Sequence, residues 1–333
     1  AFPVCLATRS PKELIRTVEV LTPSFGAINL EDIAQPQCFQ ILDTLRGRLE
    51  IPIWHDDQQG SATVLLAALG NALEIVGKSL GNVRIALVGT GAANVSTYRL
   101  LRARGIDAGS LIACDSRGTL HTGREDIERE SERFRDKWRI CQETNADRLK
   151  GGNAEALRGA DVCVAFSTPG PNTIRPEWVR SMRSDAIVFA CANPVPEIWP
   201  QVALEAGARI VGTGRSDFAN QVNNALAFPG IFRGVLDVRA KSISDEMAIA
   251  AADALSSCAR SKGLREDYIV PRMDEPETAV AVAVATGVEA RAQGLAKIEV
   301  EPEELRRAAR ATIERARAQM RSLDREGLIE PLE

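Results

Sequence analysis

The stretch VRIALVGTGAANVSTYRLLRARG, residues 83–105, decides the fold. VRIALV (83–88) has the near-continuous aliphatic character of a strand covered on both faces of a parallel sheet. GTGAAN (89–94) follows at once, and VSTYRLLRARG continues as a helix. Strand, glycine turn and helix in that order are the context a dinucleotide-binding fingerprint requires. Gly89 permits the tight turn, and Gly91 lets backbone N–H groups at the helix N-terminus close on a pyrophosphate. Gly89, Gly91, Ala92, Ala93 and Asn94 are therefore the candidate cofactor-binding turn. Asn94 stands where the pattern has its third glycine, a position that serves helix–strand packing, so Asn94→Gly is expected to be tolerated. A second strand, SLIAC (110–114), ends in Asp115, 26 residues after Gly89 and near the usual spacing for an acid that bonds a ribose hydroxyl. Arg117 lies two residues further on, within reach of a 2′-phosphate, which leaves both NAD and NADP open.

Working outward, DVCVAF (161–166), AIVFAC (186–191) and ARIVG (208–212) read as further strands of an α/β alternation. Before the glycine turn, Val64, Leu65, Ala68, Leu69, Ala72, Leu73 and Val76 recur at three- and four-residue steps and predict a helix with a buried face. SDEMAIAAADAL (244–255) predicts another, capped by Ser244. The expected class is α/β, with a Rossmann-type dinucleotide-binding domain (58–216) inserted in a split substrate/metal domain (1–57 and 217–290). Residues 291–333 form a charged helical tail, with Glu-to-Arg spacing suited to i,i+4 pairs.

Two acidic segments precede that domain: Glu31-Asp32 in PSFGAINLEDI (23–33) and Asp56-Asp57 in IPIWHDDQQG (51–60). Four carboxylates set among apolar neighbours are costly to bury unless a cation or hydrogen bonds compensate them. A hard divalent ion such as Mg²⁺ or Mn²⁺ prefers such oxygen ligands. Glu31-Asp32 could equally open a helix, where acidic side chains meet the positive end of the dipole. The spacing admits both readings. The chain has two histidines, His55 and His121, too far apart in sequence for a zinc site or a histidine-based triad. His55 is read either as a donor supporting the carboxylates or as a structural group.

The segments PSFGAINLEDI, IPIWHDDQQGSA, GTGAAN with CDSRG, FACANPVPEI and GTGRSDFANQVNNALAFPGIFRG together resemble the NAD(P)-dependent malic enzymes, particularly the shorter bacterial type. The resemblance runs in order from about Ala1 to about Asp253. It implies oxidative decarboxylation of malate to pyruvate and CO₂, with hydride passed to NAD or NADP and a requirement for Mg²⁺ or Mn²⁺. The implied metal ligands are Glu31, Asp32 and Asp57. Asp56 and Asp57 are implied as the catalytic acids, Asp56 shaping protonation around the site. Asn193, Asn224 and the adjacent Asn223 are implied as substrate-binding residues. Thr168 in STPGPN and Asn193 are implied to lie beside the cofactor. The family's general base, a lysine, and general acid, a tyrosine, lie upstream of the segment matching AFPVCL, so neither is expected in this sequence. Lys78 resembles a common family lysine but is not that base, and Tyr98 and Tyr268 stand in no matching motif. Gln59 departs from the family's usual histidine. A related enzyme for another 2-hydroxy acid, or a non-catalytic nucleotide-binding homologue, are the alternatives.

The whole-chain properties fit. A length of 333 residues accommodates roughly two domains. A formal net charge of −4 with mixed signs argues against nucleic-acid or membrane partners. Seven cysteines without a CxxC pair suit a reducing cytoplasm. No apolar run of ~18 residues indicates a membrane span. The family likeness implies a homodimer or higher homo-oligomer. A first residue of Ala is read as a truncated or processed start.

Overall fold

The computed structural model describes residues 1–329. Two short strands, β1 (Ile28–Leu30) and β2 (Ile53–His55), pair in parallel near the start. The main sheet comprises β3 (Ile85–Val88), β4 (Leu111–Asp115), β5 (Gly118–Thr119), β6 (Val162–Ala165), β7 (Ala186–Ala190) and β8 (Ala208–Thr213). Their order is β5-β4-β3-β6-β7-β8, all parallel except the antiparallel edge strand β5. The five strands expected from the sequence are present. The β1–β2 pair and β5 were not foreseen, being too short for a periodic signal.

Side-chain alternation gives the sheet two separate cores. Ile85 and Leu87 pack with Val162, Val164, Ile187 and Phe189 on one face, whereas Ala86 and Val88 pack with Cys163, Ala165, Val188 and Ala190 on the other. The chain winds to β4 on one side of β3 and to β6, β7 and β8 on the other. The carboxyl ends of β3 and β6 therefore frame the crevice where doubly wound sheets bind ligands.

The helix Ser61–Ile75 buries nearly its whole circumference rather than a single face, with Asn71 and Thr63 as buried as its leucines. It lies between the helix Ala92–Ala103 and the helix Asp245–Ser261. Asn71 satisfies itself there by donating to the carbonyls of Ser256 and Ile269. Ser244 caps the helix Asp245–Ser261 as expected, its hydroxyl accepting from Met247 N–H at 3.1 Å. The helix Pro302–Arg325 rests on the helix Pro276–Ala292 through Leu305 and Ala309 and is largely exposed beyond them. Its contact also includes an Arg310–Glu277 ion pair of 2.7 Å. Among the described residues no helix is long and apolar enough to cross a membrane.

Candidate active site

The β1–β2 register brings the two acidic segments together. Leu30 pairs with His55, so Glu31 and Asp56 leave the paired strands side by side. A five-residue π-helical turn, Asp56–Gly60, then joins β2 to the helix Ser61–Ile75. Such wide turns recur at functional sites because they re-aim side chains without ending a helix. Asp32 adopts a left-handed backbone (φ 55°), and its N–H donates to Asp57 Oδ2 at 2.9 Å. Asn29 Nδ2 donates to Glu31 Oε2 at 2.6 Å.

Asp56 is only 3% exposed. It accepts from Trp54 Nε1 at 3.0 Å and from Asn224 Nδ2 at 2.7 Å. Burial pushes its carboxyl up to about 7, with Glu31 and Asp57 adding to the rise against the two hydrogen bonds. Gly60 makes this arrangement possible: a methyl group there would lie 2.0 Å from Asp56 Oδ1 and 2.9 Å from Asn224 Cβ. Sequence reasoning missed Gly60, although a glycine four residues after an acid in a tight segment was a usable signal. His55 is fully buried, with Nδ1 3.7 Å from Asp57 Oδ2 and neither ring nitrogen hydrogen-bonded. Burial lowers its pKa, with Asp57 opposing, which favours the neutral imidazole.

The expectation that all four carboxylates are set in apolar surroundings holds for Asp56 alone. Glu31 and Asp32 are exposed, and the Asp57 side chain is 37% exposed. Among the described residues no three His, Cys, Asp or Glu side chains are gathered as a metal cage. The donor set nevertheless suits a hard divalent cation. Among the described residues no lysine or arginine is ion-paired with Glu31, Asp32, Asp56 or Asp57, and only Asp57 lies within 4 Å of a basic group, His55. Partial desolvation raises the Glu31 carboxyl, and the charges of Asp57 and Asp32 raise it further against the Asn29 hydrogen bond. A cation is the natural compensation for such a group.

The glycine turn sits at the crevice. Gly89 has φ +88°, and a methyl group there would lie 2.6 Å from the Phe166 carbonyl oxygen, so the turn after β3 and the turn after β6 nearly touch. The helix Ala92–Ala103 starts without a side-chain cap, leaving first-turn N–H groups for a ligand. A Cβ on Gly91 would meet nothing within 4 Å, so open space lies in front of the turn.

Asn94 corrects the reading of this motif. Fully buried, its Nδ2 donates to the carbonyls of Gly89 at 2.8 Å and Val88 at 3.0 Å, and at 3.4 Å to Val164. It ties β3, the turn and β6 together, where glycine could tie nothing. Asn94→Gly is therefore expected to destabilise the protein by about 2–3 kcal/mol, from lost hydrogen bonds and helix propensity. Urea denaturation of both proteins measures this; equal midpoints would restore the original expectation.

Asp115 is a second correction. Its Oδ1 accepts from Arg124 Nη1 at 3.0 Å and from Arg117 N–H at 2.9 Å. Its Oδ2 accepts from Arg124 Nη2 at 2.9 Å and from Lys137 Nζ at 3.4 Å. Burial alone would raise its pKa, yet these donors, Arg124 foremost, hold it below the ordinary carboxylate value. No acceptor position remains free for a ribose hydroxyl.

The asparagines divide. Asn224 joins Asp56, as described. Asn223 turns to the backbone, its Oδ1 accepting from Ala225 N–H at 3.0 Å and its Nδ2 donating to the Gly214 carbonyl at 3.3 Å. Asn193 is exposed after β7, and a methyl group on Gly214 would lie 2.9 Å from its Nδ2. Thr168 is exposed after β6. Those last two loops are joined by Glu197, which sequence reasoning missed. Fully buried, its Oε1 accepts from Ser167 N–H at 2.7 Å and Ser167 Oγ at 3.0 Å, while Oε2 accepts from Ala192 N–H at 3.0 Å.

Comparison with known proteins now decides the family. Residues 58–293 match the family described as "Malic enzyme, NAD binding domain". The chain belongs to the malic enzyme family. It is 45% identical over 309 residues to the "Bifunctional malic/malolactic enzyme" of Bacillus subtilis, covering 92% of this chain and 72% of that protein. It is 46% identical over 272 residues to the "NAD-dependent malic enzyme" of Geobacillus stearothermophilus, covering 81% of this chain and 54% of that protein. The crystal structure of Entamoeba histolytica malic enzyme superposes with a TM-score of 0.96 at 44% identity, over 100% of this chain and 69% of that one.

The two tyrosines of this malic enzyme chain and Lys78 each have a side-chain partner away from the acidic turn. Tyr98 is buried and bonded to Glu143, and Tyr268 is buried and bonded to Glu275 at 2.9 Å. Burial and Glu275 push Tyr268 up to about 12. Lys78 pairs with Asp161 at 2.9 Å and donates to the Ser184 carbonyl. Each is committed elsewhere.

Proposed function

We propose that this malic enzyme chain carries the machinery for oxidative decarboxylation of malate to pyruvate and CO₂, with NAD or NADP as hydride acceptor. One observation carries the reading: the Asp56–Asn224 hydrogen bond, spanning 168 residues, packed against Gly60 where a side chain would collide with both. It joins the acidic turn to the NNALAFPG segment, two of the five segments on which the family likeness rests. Glu31, Asp32 and Asp57 would hold Mg²⁺ or Mn²⁺, which when bound supplies Lewis acidity toward the substrate hydroxyl and, later, the ketone.

The chain's own groups do the rest. Asp56, poised near neutrality, can hold or release a proton at Oδ1 or Oδ2 beside the substrate. Asn224 keeps one amide N–H and its oxygen free after bonding Asp56, and Asn193 offers the same groups. Neutral amides can orient a carboxylate without a further charge to compensate. The N–H groups of Ala92 and Ala93, with Gly91 clearing the approach, suit a pyrophosphate. Thr168 and Asn193, exposed on the loops after β6 and β7 that Glu197 braces, would lie beside the cofactor. The organisation of 1–57 with 217–290 as one unit, 58–216 as another and 291–333 as a tail belongs to the same proposal. So do a cytoplasmic homodimer or higher homo-oligomer and the absence of nucleic-acid or membrane partners.

Decarboxylation of added oxaloacetate tests the acidic half of the site without needing hydride transfer. The chain with Mn²⁺ is expected to release pyruvate faster than free Mn²⁺ does, and Asp56→Asn to be slower. A rate equal to that of free Mn²⁺ would remove decarboxylation from this chain.

A further inference from the structure

The end of β4 carries an arrangement that bears on which dinucleotide is used, an inference that rests on the proposed dinucleotide reading. Asp115 is the acid placed to bond an unphosphorylated ribose, yet its four acceptor positions are filled by Arg124, Arg117 N–H and Lys137. Arg124 is locked in turn. All five of its N–H groups are in use: to both Asp115 oxygens, to both Asp126 oxygens at 2.7 and 2.8 Å, and to the Thr119 carbonyl at 3.4 Å. Only 8% exposed, Arg124 neutralises the two acids rather than presenting itself to a ligand.

Two cations remain. The Arg117 side chain is 73% exposed, and among the described residues its one hydrogen-bond partner is Asp126 at 3.1 Å, leaving four of its five N–H groups unused. Its backbone N–H bonds Asp115 and fixes the turn that places it beside the ribose-facing acid. Lys137 Nζ lies 3.4 Å from Asp115, over the Phe134 ring, with two further N–H groups. Three cations thus face two carboxylates, with Asp115 saturated and one acceptor position left on Asp126 Oδ1, so most of the unused hydrogen-bonding capacity is on donors. A hydroxyl finds no free acceptor on Asp115, whereas a phosphate finds an arginine fork and an ammonium.

We infer that the turn after β4 is a 2′-phosphate site, with Arg117 as its principal specificity-determining residue and Lys137 as its second cation, so that the chain prefers NADP to NAD. Fluorescence titration of the full 333-residue chain with NADPH and with NADH tests this without turnover. NADPH is expected to bind about 10- to 100-fold more tightly, the range for charge-assisted hydrogen bonds. Arg117→Ala should remove most of that advantage and leave NADH affinity unchanged. Because Arg117 is solvent-exposed, the variant should fold normally, and Lys137→Ala should reduce the preference in the same sense. Added salt should weaken NADPH more than NADH. NADH binding as tightly as NADPH, or Arg117→Ala weakening both alike, would overturn the inference while leaving the dinucleotide reading intact. Failure of both nucleotides to bind would overturn that reading and this inference with it.

Discussion

Asp57→Asn is expected to weaken Mn²⁺ binding by on the order of 100-fold or more, at or beyond the upper end of what changes around metal ligands cost. Asp57 is half exposed and uses one oxygen to accept from Asp32 N–H at 2.9 Å. Asparagine keeps the shape and can keep that acceptor, so the turn should survive. The anionic charge is lost, and hard divalent ions bind charged oxygen donors far better than amides. Glu31→Gln should behave alike, because the Asn29 bond can persist to the amide oxygen. Asp56→Asn differs: both Asp56 oxygens accept from N–H donors, so an amide NH₂ would face a donor and strain the turn. Calorimetric titration with Mn²⁺ separates these cases. Equal affinity in wild type and Asp57→Asn would remove Asp57 from the metal ligands.

Gly91→Val is expected to weaken dinucleotide binding by about 10- to 100-fold, the effect of forcing one branched side chain into a fitted contact. Gly91 has φ −82° and ψ −169°, a conformation any residue adopts, and a Cβ there meets nothing within 4 Å. The fold should therefore be unchanged, while two methyl groups stand where a pyrophosphate must approach the backbone. Gly89→Ala makes the contrast. With φ +88° and a Cβ 2.6 Å from the Phe166 carbonyl, it should lower stability before it lowers binding. Thermal denaturation alongside NADPH titration distinguishes the two. A Gly91→Val protein that binds like wild type would mean that this turn is not the phosphate site.

Much of the sheet was legible in the sequence because its strands are short aliphatic runs punctuated by glycine and polar residues. The site was legible mainly as motifs. Glu31 and Asp56 emerge side by side only through the β1–β2 register, and three-residue strands leave no periodic trace. Asn94 looked like an imperfect glycine because pattern matching weighs the backbone and not what a side chain can tie together. Asp115 looked like a free acid because its partners Arg124 and Lys137 lie 9 and 22 residues away, across a loop. Glu197 was invisible for a related reason. A buried carboxylate held by the N–H groups of two loops makes no pairing that spacing reveals.

The acidic turn and the glycine turn are expected to serve one reaction on malate. Product analysis tests it most directly: the chain is incubated with malate, Mn²⁺ and NAD⁺ or NADP⁺, and pyruvate is measured against reduced dinucleotide. Turnover is expected to be slow, because among the described residues no lysine or tyrosine is bonded to the acidic turn and acid–base groups each contribute ~10²–10⁴-fold. Pyruvate and reduced dinucleotide are expected in equal amounts, with neither formed once a chelator removes Mn²⁺. Reduced dinucleotide accumulating with oxaloacetate and no pyruvate, or undiminished in the presence of chelator, would contradict it.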